Sequence, residues 1–303
     1  MARFSLLLFL LIFAWGCDNN PQVEEGFIQS LGDSIYYKTV GVGEPLLIVH
    51  GGPVLDHQYL YEHLLPLADT HQLIFYDQRA CGRSQVEIDP SRMTFDAMSA
   101  DIDQIREHLG YEKLSILGHS WGGLVAMKYA TTHDDDIHKL ILSNSMAPTA
   151  DFWNQENVII ASRYSEEDQE QLDKLSTSGL IRSKDPAPYI DQMMMISFKS
   201  QFYDPEKMDG LKLAIADDYH LRSSVFMNIA PEMSNYDLLD SLSSIESEVL
   251  IIYGEIEPAT GLYLNTFKEA FPSASIETIK KTGHFPFIEQ PKAYFEVIKD
   301  FLK

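Results

Sequence analysis

Cysteine is nearly absent from this 303-residue chain, which holds only Cys17 and Cys81. That excludes a disulfide framework and any structural zinc site built on thiolates. Positive charge is scarce as well, with 23 lysines and arginines against 45 aspartates and glutamates and a net charge of −22. Phosphates would be repelled, so nucleic acid is not an expected partner. Internal repeats and low-complexity tracts are missing. His57, His63 and His71 are spaced too irregularly to form one metal-binding face and read as surface or helix-packing residues. No metal or cofactor is implied. What remains is a globular composition, 45% hydrophobic, in a chain long enough for one large core plus an insertion, or for two modest domains.

The N-terminus stands apart. After Arg3 an apolar run from Phe4 to Trp15 ends abruptly in Gly16-Cys17-Asp18-Asn19-Asn20-Pro21. The run is too short for a comfortable transmembrane helix and matches the apolar segment of a secretory signal. A cysteine just after it, behind Gly16 and ahead of a polar tether, resembles a bacterial lipoprotein signal, in which that cysteine becomes the lipidated first residue. Trp15 departs from the pattern, which usually has a smaller residue there. Residues 1–25 are therefore expected to be signal and tether, and the protein to be exported. It would be periplasmic or a lipoprotein attached to the membrane through lipidated Cys17, with plain secretion and an uncleaved anchor as the alternatives.

Beyond the tether, strands and helices alternate. Gly26 to Ile28 and Ile35 to Val40 read as an opening hairpin. Leu46-Leu47-Ile48-Val49, Leu73-Ile74-Phe75-Tyr76, Leu114-Ser115-Ile116-Leu117 and Leu140-Ile141-Leu142 are continuous apolar runs of the kind buried on both faces of a sheet. Between them the spacing predicts helices over 57–68 and 95–109. From about 148 to 244 the alternation stops, in a segment rich in helix formers, methionine and acids and interrupted by prolines. It reads as an inserted helical cap, with Met193-Met194-Met195 as an apolar wall or plain core filling. The pattern resumes with Val249 to Tyr253, a helix near 261–271, a strand from Ile276 to Ile279 and a closing helix from Pro291 to Leu302. The expected fold is α/β, a mostly parallel doubly wound sheet formed by 26–147 and 245–303, with ligands bound beyond the carboxyl ends of its strands.

Chemistry concentrates at those ends. Gly118-His119-Ser120-Trp121-Gly122-Gly123 sits between a strand and a helix, the setting of a nucleophile elbow, in which a strained turn lifts the serine hydroxyl clear of the sheet. A serine hydroxyl is a poor nucleophile until a base takes its proton and an acid orients that base. In this fold the chain order is serine, acid, histidine. Glu255 and Glu257 are the carboxylates of the loop after the first strand beyond the insertion, and His284 alone among ten histidines follows the last strand. His50-Gly51-Gly52-Pro53 lets backbone approach closely. Its Gly52 amide is the expected partner of the Trp121 amide in an oxyanion hole. Asp77 and Arg79 are expected to hold their loop as a local ion pair, Asp134-Asp135-Asp136 to be a solvated loop, and Cys81 to be an unpaired structural thiol.

Three motifs taken together carry a resemblance: His50-Gly51-Gly52-Pro53, Tyr76-Asp77-Gln78-Arg79-Ala80-Cys81-Gly82-Arg83-Ser84, and Gly118 to Gly123. They resemble the proline iminopeptidase branch of the α/β-hydrolases, whose patterns are HGGPG, DQRGxGxS and GxSWGG. Gly254-Glu255-Ile256-Glu257-Pro258-Ala259-Thr260 looks like its acid loop, G-E-Y-D-x-A-T, and this likeness assigns the acid to Glu257. Four positions depart from the family. Glu257 replaces an aspartate, Val54 and Ala80 replace glycines, and Pro258 stands where some relatives carry a glutamate that holds the substrate's amino group. Another carboxylate would then be needed, and Glu206, Glu232 and Asp237 in the cap are candidates.

The resemblance implies a serine hydrolase with Ser120, His284 and Glu257 as its triad, acting without a cofactor. The implied substrate is a short peptide or amino-acid amide with a free amino terminus. A carboxylesterase or lactonase acting on small esters is the alternative from the same core, and a catalytically silent binding protein is the rival from another class.

Overall fold

The computed structural model describes residues 23–52 and 54–303. The apolar N-terminal run and Cys17 lie outside the described residues. Among those described, no helix is long and apolar enough to cross a membrane.

Eight strands form one sheet: β1 (Val23–Ser30), β2 (Asp33–Val40), β3 (Glu44–Val49), β4 (His71–Tyr76), β5 (Leu114–His119), β6 (Ile137–Ser143), β7 (Glu248–Gly254) and β8 (Ser275–Ile279). Their spatial order is β1-β2-β4-β3-β5-β6-β7-β8. The β1–β2 and β2–β4 pairings are antiparallel, and every later pairing is parallel. The central strands are apolar on both faces because both faces are covered: all six residues of β5 are buried. At the two edges, β1 and β8 alternate between exposed and covered positions.

Helices α1 (Gln58–Leu64), α2 (Phe95–Leu109) and α3 (Trp121–His133) connect the first half of the sheet. Thr94 starts α2 by accepting the Ala97 amide at 3.1 Å, and Gly110, at φ 79°, ends it by donating to the Arg106 and Glu107 carbonyls. The apolar side chains of α2 and α3 cover one face of the sheet. Leu60 and Leu64 of α1 cover the other.

Between β6 and β7 runs a helical segment: α4 (Trp153–Ala161), α5 (Glu166–Thr177), α6 (Ala187–Lys199), α7 (Tyr219–Phe226), α8 (Ala230–Met233) and α9 (Leu239–Leu242). An isolated antiparallel bridge between Thr149 and Asp237 ties its two ends together. The segment straddles both layers. Phe226 and Ile229 join the α2/α3 side of the core, whereas Phe202 and Leu211, with Met194, Met195 and Phe198 packed against them, join the α1 side. The helix expected near 261–271 is two pieces, α10 (Pro258–Leu262) and α11 (Leu264–Ala270). After β8 come α12 (Pro286–Glu289) and α13 (Pro291–Phe301), the latter buried through Tyr294, Phe295 and Ile298.

The expected Asp77–Arg79 ion pair does not form. Arg79 is fully buried, and a desolvated guanidinium needs a bidentate partner. It finds one in Asp101 of α2, at 2.8 and 2.6 Å, with Asp33 at 3.1 Å. Asp77 instead accepts His57 Nδ1 at 2.6 Å and the Arg83 amide at 2.8 Å. His57 is thus an interior partner of Asp77 and not a surface residue. Cys81 is a buried free thiol.

Candidate active site

Ser120 sits between β5 and α3 with φ 56° and ψ −122°, a conformation that side-chain-bearing residues rarely adopt. The packing that forces it is visible at Gly122, where a Cβ would lie 2.1 Å from the Val49 carbonyl oxygen. Ser120 lines a small cavity of about 30 Å³ together with Gly52 and His284. Leu55, Phe198, Leu213 and Phe285 supply its apolar walls.

His284 follows β8 and Glu257 follows β7. His284 Nδ1 lies 3.1 and 3.2 Å from the two Glu257 carboxylate oxygens. Both side chains are buried. Burial alone disfavours a charged imidazole, but the charge and hydrogen bond of Glu257, with a further contribution from Glu156, outweigh it, so the His284 pKa stands above its ordinary value. Glu255, the other carboxylate of that loop, turns away to Lys280 and the Lys281 amide.

The loops carrying Glu257 and His284 are fastened to each other. The Glu255 amide donates to the Ile279 carbonyl at 3.0 Å and the Ile256 amide to the Thr282 carbonyl at 3.1 Å. Asn144, just after β6, donates from Nδ2 to Glu257 Oε2 at 2.9 Å and to the Gly283 carbonyl at 3.1 Å. Glu289, almost fully buried, accepts the Gly283 amide at 2.6 Å.

Gly52, at φ 60°, follows β3. Its amide and that of Trp121, the first residue of α3, donate to no group among the described residues, as expected of N–H groups left free at a turn and at a helix start. A polar chain stiffens the elements around them. Gln78 donates to the His50 carbonyl at 2.6 Å and accepts the Trp121 indole N–H at 2.9 Å. Tyr59 accepts the Gly51 amide at 2.7 Å and donates to His119 Nδ1 at 2.8 Å, while His119 Nε2 donates to the His284 carbonyl at 3.0 Å. Burial and the neighbouring His284 hold the His119 pKa well below the usual histidine range, which keeps it in the neutral form this relay requires. The chain therefore runs from the Gly51 turn to the backbone of His284.

Val54 and Ala80, where the resembled family has glycine, both adopt left-handed backbone, at φ 68° and 61°. Side-chain-bearing residues thus occupy a conformation that suits glycine best.

None of the three cap acids expected as anchors reaches the cavity. Glu232 caps α2 by accepting the Phe95 amide at 2.8 Å, Asp237 accepts the Leu239 amide at 3.0 Å, and Glu206 is exposed. Glu156 of α4 does not line the cavity either, but it lies within electrostatic reach of Glu257 and His284, with both oxygens 3.2 Å from the Tyr263 hydroxyl. Partial burial, with the Glu257 charge nearby, pushes its pKa up to about 7. Nothing in the sequence of α4 distinguishes Glu156 from the many other acids of the insertion. Asn144, Gln78 and Tyr59 were also not legible as site residues, although Asn144 does occupy a strand end of the kind where ligand-binding groups gather.

Ser120 and His284 thus share one cavity beyond the carboxyl ends of a mostly parallel sheet, with Glu257 bonded to His284. Residues 44–291 match the family described as alpha/beta hydrolase fold, and the chain belongs to that family. It is similar to the proline iminopeptidase of Clostridioides difficile strain 630, 28% identical over 289 residues that cover 93% of this chain and 98% of that protein. Among solved structures it is similar to the proline iminopeptidase of Mycobacterium smegmatis, with a TM-score of 0.71 and 20% identity over 92% of this chain and 97% of that one. It is also similar to a thermophilic esterase from Thermogutta terrifontis, with a TM-score of 0.65 and 22% identity over 92% and 98%. The structural likenesses show the fold, which a peptidase and an esterase share.

Proposed function

We propose that the protein is a serine aminopeptidase of the proline iminopeptidase type, releasing the N-terminal residue from short peptides, with residues 148–244 as its cap. In this reading Ser120 attacks the first peptide carbonyl while His284 Nε2 takes its proton, and Glu257 at Nδ1 holds and stabilises the imidazolium. The Gly52 and Trp121 amides donate to the oxyanion. His284 returns the proton to the leaving amine, and water then releases the acyl group from Ser120.

The observation that carries the aminopeptidase reading is Glu156, a carboxylate brought by the cap to within electrostatic reach of both Glu257 and His284. An N-terminal ammonium needs such a partner, and binding it would draw Glu156 toward its ionised form. The apolar walls of the cavity favour a second reading, a carboxylesterase or lactonase acting on small neutral esters. Proline and alanine arylamides, free and N-acetylated, assayed beside short-chain aryl esters with Ser120→Ala as blank, separate the two. Arylamide turnover that requires the free amino group, with that requirement weakened in Glu156→Gln, supports the aminopeptidase. Ester turnover alone selects the second reading.

Export with lipidation at Cys17 is proposed on the sequence of residues 3–21 alone. Fatty-acid labelling of the expressed protein, abolished in Cys17→Ser, tests it.

A further inference from the structure

A groove of about 390 Å³ lies beside the catalytic cavity, and Tyr59 and Leu213 line both. In a chain with a net charge of −22, this groove gathers three cations: Lys38 from β2, Arg83 from the loop after β4, and Lys212 from the insertion. Aromatic rings hold two of them in place. The Lys38 ammonium lies 4.2 Å from the Tyr61 ring centre and the Arg83 guanidinium 4.0 Å from that of Tyr36. Two carboxylates also line the groove. Glu25 is already engaged, accepting Arg83 Nη1 at 3.2 Å and the Tyr36 hydroxyl at 2.8 Å. Glu62 is exposed at the rim. Among the described residues, neither Lys38 nor Lys212 forms an ion pair, although Glu25 lies near enough to Lys38, and Asp191 to Lys212, to feel the charge.

Position gives these charges a meaning. Glu156 and Tyr263 lie on the β7 side of β5, whereas Lys38 lies on the β2 side. The cleft is thus acidic on one flank of Ser120 and basic on the other. A short peptide is a zwitterion with the same polarity. We infer that the groove binds the C-terminal carboxylate of the substrate, between Lys38 and Lys212, so that the preferred substrates are short peptides with a free carboxyl end. Three strand spacings separate β5 from β2, roughly 14 Å, or about four extended residues. Lysine side chains shorten that span, so the leaving peptide is about two to four residues long. The inference rests on the aminopeptidase reading, because that reading sets which end of the peptide faces Glu156.

The test is binding of prolyl-trialanine to full-length Ser120→Ala protein by calorimetry, in four forms: amino end free or acetylated, carboxyl end free or amidated. The free acid is expected to bind roughly fivefold tighter than the amide. That advantage should shrink as salt is raised and vanish in Lys38→Gln/Lys212→Gln, with circular dichroism confirming that the variant is folded. Equal binding of acid and amide, or a preference that survives in the double variant, overturns the inference and leaves the aminopeptidase reading standing. Equal binding of the free and acetylated forms overturns the aminopeptidase reading, while an acid preference lost in the double variant still supports the groove as a carboxylate site. Failure of all four forms to bind overturns both.

Discussion

Asn144 Nδ2 donates to Glu257 Oε2 at 2.9 Å, so the acid that faces His284 is itself held by a residue from a different strand end. The same amide group donates to the Gly283 carbonyl at 3.1 Å, one residue before His284. One side chain therefore fixes both Glu257 and the loop that carries His284. The Glu257 carboxylate thus touches both Asn144 and His284.

Removing that support should lower turnover more than binding. A hydrogen bond to a charged group contributes about 1.5–3 kcal/mol, so Asn144→Ala is expected to lower kcat by roughly tenfold to a hundredfold with little change in KM. Steady-state kinetics on an aryl ester or arylamide measure the split. A raised KM at unchanged kcat would mean that Asn144 shapes the substrate pocket instead.

The cavity above Ser120, about 30 Å³, has room for little more than a water molecule. A substrate's acyl side must displace cap side chains, and Phe198, whose ring centre is 5.2 Å from that of Phe285, is the bulkiest of those lining it. Phe198→Ala should favour larger acyl groups. At roughly 1 kcal/mol for each methylene that gains apolar contact, kcat/KM across an aryl ester series should rise about fivefold per added methylene until the enlarged space is filled. A series whose chain-length optimum matches that of the wild type would show that Phe198 does not set the limit.

The fold was readable from the sequence because its signals are local. Runs such as Leu46 to Val49 and Leu73 to Tyr76 are apolar on both faces, and helix α2 carries both its cap residues in sequence. Ser120 and His284 could be placed by their positions after strands. Pairings set by tertiary structure were not readable. Asp77 and Arg79 are neighbours in sequence, yet each bonds to a residue at least 20 positions away. Glu156 differs from the exposed acids of α5 only in where α4 docks, and an isolated sequence carries no mark of docking.

The buried Arg79 illustrates the energetic consequence. Asp101→Ala would strip the guanidinium of its bidentate partner in a site from which water is excluded. Breaking a buried ion pair in this way costs about 3–5 kcal/mol. Denaturant unfolding should show a loss of that size, whereas Lys174→Ala, which breaks an exposed pair with Glu170, should change stability by less than about 0.5 kcal/mol. Similar losses from the two would mean that Asp33 alone satisfies Arg79.

The pH profile tests the division of labour at the site. In the proposed mechanism His284 must be neutral to take the Ser120 proton, and its pKa is raised, so kcat/KM should increase as pH rises through that value. Glu156 must be ionised to pair with an ammonium, and its pKa is about 7, so its contribution also increases with pH and is lost in acid. Both requirements fall on the acid side. For a peptide with a free amino end, the acid limb of log kcat/KM should steepen toward a slope of about 2, whereas for an aryl ester, which has no ammonium, it should stay near 1. The peptide alone should also lose activity in base as its own ammonium, with a pKa of about 8, deprotonates. In Glu156→Gln the peptide's acid limb should fall back to a single ionisation. It should also move to lower pH, because removing that negative charge takes away part of what favours the His284 imidazolium. Superimposable peptide and ester profiles in the wild type would remove Glu156 from substrate recognition.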